Sequence, residues 1–135
     1  MYNGHKSYLE NEVLNADPLK LVELLYEGAL DAIHQARQHL AKREIRQRSK
    51  AITKAQLIIF ELANSLDPDQ GATVSTQLAR LYQYIGQLLV DANVQQQDAP
   101  LAEASQLLST LLQGWEQCSK TFPIAHHTGD LSYVS

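Results

Sequence analysis

The stretch Ala16-Asp17-Pro18-Leu19-Lys20-Leu21-Val22-Glu23-Leu24-Leu25-Tyr26-Glu27-Gly28-Ala29 opens a helix and is too apolar to serve a single buried seam. An aspartate directly before a proline marks a helix start. The carboxylate can accept from free first-turn amides, and proline fits the first helical position because it has no N–H to leave unpaired there. Apolar residues then return every three or four positions, which places them on one helix face. This spacing predicts a helix from about Pro18 to Ala41, with Val22, Leu25, Ala29, Ala32, Ala36 and Leu40 on its seam.

The same period recurs three times. Ile52, Ala55, Ile59, Leu62 and Leu66 define a helix from about Glu44 to Leu66, and Val74, Leu78, Leu81, Ile85, Leu88 and Ala92 one from about Thr73 to Val94. Leu101, Ala104, Leu108, Leu111, Trp115 and Cys118 define the last, from about Ala99 to Thr121. Asp67-Pro68-Asp69-Gln70-Gly71 and Gln97-Asp98-Ala99-Pro100 carry turn chemistry between helices. Short connections make successive helices antiparallel neighbours. The expected fold is all-α, an antiparallel up-down-up-down four-helix bundle over residues 18–122. Residues 1–17 are expected to dock loosely on it and cap a groove, and residues 123–135, beyond the stop at Pro123, to form a disordered tail.

Composition agrees with one helical domain. A chain of 135 residues buries roughly two-thirds of its unfolded surface, enough for a self-sufficient core. The single cysteine, Cys118, excludes an internal disulfide, and the polar N-terminus has no signal-peptide core, so a cytoplasmic location is expected. No apolar run approaches the roughly 20 residues needed to span a bilayer. The formal charge of −4 is uneven: Lys42, Arg43, Arg46, Arg48, Lys50 and Lys54 cluster with only Glu44 among them, leaving 5 basic and 14 acidic side chains elsewhere. The plain reading is a solvated turn complementing the preceding helix dipole. The acidic remainder and the lack of interleaved aromatics argue against nucleic acid as a partner.

Apolar residues remain once the seams are filled. They are Leu21, Leu24 and Ile33; Leu57, Ile58 and Phe60; Tyr82, Tyr84, Leu89 and Val90; and Leu107 and Leu112. Part of this surplus widens the core stripe, and a contiguous exposed remainder would mark a protein-binding groove for an amphipathic client helix.

These residues also carry a resemblance. Tyr8 is followed by Ala16, Asp17, Pro18 and Leu21, then by Leu25-Tyr26-Glu27-Gly28-Ala29. Lys-Ala-Gln-x-Ile-Ile-x-Glu-Leu-x-x-Ser-Leu-Asp runs from Lys54 to Asp67, Leu-x-x-Leu-Tyr from Leu78 to Tyr82, and Ala92-Asn93 and Trp115 complete the set. In this order the chain resembles the flagellar secretion chaperones, the flagellin-binding proteins called FliS. The departures are Asp17, where serine is usual, and the tail after Pro123. The resemblance implies a four-helix bundle that binds the disordered C-terminal segment of flagellin in the cytosol. It would prevent premature polymerisation and deliver the subunit to the flagellar type III export gate, with other flagellar regulators as further partners. The residues themselves form no catalytic constellation and no Gly-rich phosphate loop, so no enzymatic activity and no cofactor are expected. A disordered segment that folds on binding can bury about 1,000–3,000 Å² and remain releasable.

Under that reading Tyr8 pins the N-terminal segment over the groove, and Leu21, Leu24 and Leu25 of the first helix with Ile58 and Leu62 of the second line it. Gly28 and Ala29 let the backbones approach. Trp115 and Tyr82 read as large core and rim fillers. Two other readings stay open: a histidine phosphotransfer bundle using His34 or His39 beside Arg37, and a homo-oligomer, including a homodimer when client-free, that pairs its surplus apolar face with itself. A di-metal bundle would need a Glu from each of two helices and a Glu-x-x-His from each of the other two, and the chain offers one partial match, Asp31-Ala32-Ile33-His34.

Overall fold

The computed structural model describes residues 17–66 and 72–121, with the side chains of 17–66 and 73–118. It contains α1 (Pro18–Ala41), α2 (Ile45–Asn64), α3 (Ala72–Gln95) and α4 (Ala99–Thr121). Each helix packs against its chain neighbours, and α4 closes the ring on α1. Polar ties fix the antiparallel sense. Arg37, near the end of α1, donates Nε and Nη2 to the two carboxylate oxygens of Asp98, ahead of α4, both at 2.8 Å. At the opposite end, Trp115 Nε1 donates to the Leu19 carbonyl at 3.2 Å.

Local chemistry sets the ends. Asp17 caps α1 by accepting from the Lys20 amide at 2.8 Å, with Pro18 at the first helical position. α1 and α3 both close through a left-handed residue, Arg43 (φ 60°) and Gln96 (φ 55°). The following amides bond back, Glu44 to His39 at 2.9 Å and Gln97 to Ala92 at 3.3 Å, which satisfies carbonyls the helix leaves open. α1 and α4 span their predicted ranges. α2 is shorter than predicted because Glu44 serves as its N-cap, and Ser65 turns its amide back on Glu61 and Leu62. α3 runs one residue further at each end than predicted.

The core mixes small and large side chains. Ala29, Ala32 and Ala36 of α1 and Ala51 and Ala55 of α2 are buried, and this helix pair makes the most extensive close backbone approach in the bundle. A Cβ added at Gly28 would lie 3.3 Å from Ile58 Cδ1, so Gly28 permits that approach. Ile33, Tyr82 and Leu89, read from the sequence as surplus, are core residues, at 0%, 4% and 0% exposure. Each helix touches two neighbours, so its buried stripe is wider than one heptad seam. Conversely, two seam residues near helix ends, Val74 and Cys118, are exposed.

Arg48 is the one charged residue in the described core, so that member of the basic cluster is not solvated. Its Nε donates to Asn93 Oδ1 at 3.0 Å and its Nη2 to the Asn93 carbonyl at 3.5 Å, while Ser49 Oγ donates to the same Oδ1 at 3.2 Å. The guanidinium thus sits at the C-terminal turn of α3, where open carbonyls concentrate partial negative charge.

Tyr26 of α1 and Tyr82 of α3 meet across the diagonal of the ring, their hydroxyls sharing a 2.6 Å hydrogen bond. Tyr26→Phe or Tyr82→Phe alone strands a buried hydroxyl and is expected to destabilise by about 1–3 kcal/mol, whereas the double variant should be nearly neutral. Burial raises both phenol pKa values; for Tyr82 the bond from Tyr26 adds to the rise, and for Tyr26 the bond opposes it. The folded state therefore keeps protons that the unfolded chain releases, so this pair's contribution is intact below the ordinary tyrosine value of 10.0 and is lost as pH rises above it. Denaturant midpoints across alkaline pH should fall more steeply for the parent than for the double variant. Additive single effects would show that the pair is not coupled.

Candidate functional site

The surface along α1 and α2 is built from a three-and-four spacing on each helix. Leu21, Leu24 and Gly28 stand at i, i+3 and i+7 on α1 and share a face. Because Gly28 abuts Ile58, that face looks toward α2. Among the described residues, Leu25 and Ile58 pack against the buried core, whereas Leu21 and Leu24 are partly buried without joining it. Leu62 is 1% exposed and belongs to the core. Tyr8 lies outside the described residues. Of the residues read from the sequence, then, Leu21 and Leu24 share the face of α1 that Gly28 turns toward Ile58, Leu25 packs on the core and Leu62 is buried in it.

Two more apolar residues of α2 are exposed on other sides of the helix from Ile58. Leu57 is 62% and Phe60 61% exposed on α2. A signal for them exists in Leu57-Ile58-Ile59-Phe60: at 3.6 residues per turn, four successive residues cover most of the helix circumference, so they cannot all face one core. Further exposed apolar side chains lie on α3, at Val90, Val94 and Tyr84, the last donating its hydroxyl to Glu103 of α4. That bond to a carboxylate is the main cause of the raised Tyr84 pKa.

The polar groups are mostly engaged locally. His39 Nδ1 lies 2.6 Å from Glu44 Oε1, and His34 is exposed on α1. Asp31 accepts from Gln35 Nε2 at 3.2 Å. Trp115, through its bond to Leu19, ties the end of α4 to the start of α1. Glu23, Glu27 and Glu116 bring carboxylate oxygens within 4.8 Å of one another, the one group of potential metal ligands among the described residues. Burial, then the charge of Glu23, raises the Glu27 pKa, while Lys20, 3.6 Å from Glu23, opposes this. These are acids on the bundle surface, and the Asp31–His34 pair is not among them.

No described helix is long and apolar enough to cross a membrane. An apolar strip between two helices, rimmed by charge, suits capture of an amphipathic protein segment.

Comparison with known proteins shows the family. The family model described as "Flagellar protein FliS" matches residues 1–121. The chain is 33% identical over 122 residues to the flagellar secretion chaperone FliS of Salmonella typhimurium, covering 87% of this chain and 90% of that protein. It is 35% identical over 111 residues to the flagellar secretion chaperone FliSB of Pseudomonas aeruginosa, covering 82% and 88%. To FliS of Bacillus subtilis it is 30% identical over 115 residues, 85% of each chain. With a family match across the whole helical bundle and relatives aligned over most of their length, this chain belongs to the FliS family of flagellar secretion chaperones.

Proposed function

We propose that this bundle is a cytoplasmic export chaperone that holds the C-terminal segment of flagellin on the α1–α2 surface. It keeps the subunit from premature polymerisation and hands it to the flagellar type III export gate. The observation that carries the reading is Leu21 and Leu24, partly buried yet outside the core, on the face of α1 that Gly28 turns toward Ile58. An apolar strip of this kind is a liability unless a partner covers it. Client folding supplies that cover, and the ordering entropy it loses keeps the complex releasable without nucleotide. In the client-free protein the N-terminal segment, pinned by Tyr8, shields the same strip.

Isothermal titration with a synthetic peptide of the last forty or so residues of flagellin from the same source tests this. The expected result is a one-to-one complex with negative enthalpy and a negative heat-capacity change. No heat and no complex, with the bundle shown folded by circular dichroism, would overturn it and leave the homo-oligomeric reading to be tested by light scattering.

A further inference from the structure

Arg46, Lys50 and Lys54 stand four residues apart on α2, and the same ridge continues to Ile58. All three basic side chains are exposed. Glu44, the acid of the basic stretch, is engaged with His39, and Glu61, the next carboxylate along α2, lies seven residues beyond Lys54. Among the described residues no carboxylate lies within 4.0 Å of Arg46, Lys50 or Lys54. Asp31, on the facing helix, is held by Gln35. A stripe of unneutralised positive charge thus runs directly into the apolar strip, on a chain whose remaining side chains are strongly acidic. That contrast steers an acidic partner toward this one strip and repels it elsewhere.

We infer that the α1–α2 surface reads charge as well as apolar anchors: Arg46, Lys50 and Lys54 seat an acidic stretch of the bound segment, adjoining the anchors that rest against Leu21, Leu24 and Ile58. The inference rests on the chaperone reading and deepens it, since it states what the client sequence must contain and which way it lies. Lys54 and Lys50 precede Ile58 by one and two helical turns, about 6 and 12 Å. A helical client therefore carries Asp or Glu one to two turns from its apolar anchors, at the end lying over the N-terminal half of α2.

The test titrates the flagellin C-terminal peptide into the parent and into Lys50→Glu/Lys54→Glu at 50 and 500 mM NaCl. It is then repeated with a peptide whose Asp and Glu are replaced by Asn and Gln. Both lysines are exposed, so the double variant should keep the parent's circular dichroism and melting midpoint. Partly exposed ion pairs are each worth a small factor and are screened by salt, so reversing two charges should weaken binding roughly tenfold at low salt. At high salt the parent and variant should converge, and the neutralised peptide should not distinguish them. Equal affinity and equal salt dependence for parent and variant would overturn the inference while leaving the chaperone reading intact. Variant-sensitive binding to anionic lipid vesicles with unchanged peptide affinity would overturn it in favour of a membrane surface. Failure of the folded parent to bind the peptide would remove the chaperone reading and this inference with it.

Discussion

Replacing Leu24 with aspartate should weaken binding of the flagellin C-terminal peptide at least 100-fold while moving the melting midpoint by no more than about 3 °C. Leu24 is partly buried but does not pack into the core, so the free bundle loses little when it changes. In the complex the side chain is covered. Covering a leucine contributes roughly 1.5–3 kcal/mol, and covering an unpaired carboxylate in its place is unfavourable by more. Together these exceed the roughly 2.8 kcal/mol that corresponds to 100-fold. Titration and a thermal melt on the same sample separate the outcomes. A midpoint drop of 10 °C or more would place Leu24 in the core and end its assignment to the groove. Unchanged affinity would mean that the client lies elsewhere, with the Val90 and Val94 face of α3 the next surface to test.

Ile33→Ala should do the reverse. Ile33 is fully buried, at 0% exposure, so truncation loses transfer energy and leaves a cavity, about 3 kcal/mol in all. For a bundle of this size that lowers the midpoint by on the order of 10 °C, out of a total stability that is itself only about 5–15 kcal/mol. Below the transition the peptide affinity should stay within about threefold of the parent, because Ile33 faces inward. A loss under 1 kcal/mol would show that the core around α1 repacks freely, and the division of α1 into buried and binding faces would then need redrawing.

Leu24 and Ile33 mark what was and was not legible in the chain. Both were read from the sequence as apolar surplus on α1, and only one of them is. Periodicity identifies residues that share a helix face, but the width of the buried stripe depends on how many helices press on it. In this ring each helix has two neighbours, which draws Ile33, Tyr82 and Leu89 inward. Arg48 was equally illegible. In sequence it is one of six clustered basic residues, and its burial depends on Asn93, 45 positions away. Leu62 belongs to the α2 seam by its spacing and to the binding surface by the resemblance, and its burial follows the spacing. Within Leu57-Ile58-Ile59-Phe60 the spacing puts Ile59 on the seam and leaves Leu57 and Phe60 over, and the structure buries Ile59 and exposes the other two.

The helices themselves, their number and their order were determined by the sequence alone, since caps, turn residues and apolar period act over a few residues and need no distant partner. Asp17 and Pro18 start α1 by local geometry, and the spacing of leucines and alanines settles helix against strand. The allocation of apolar and charged side chains between core and surface was decided only by the tertiary structure. Burial belongs to a pair of surfaces: Gly28 matters because Ile58 lies 3.3 Å from where its Cβ would be, and Leu24 is left at the surface because the helix beside it does not cover it.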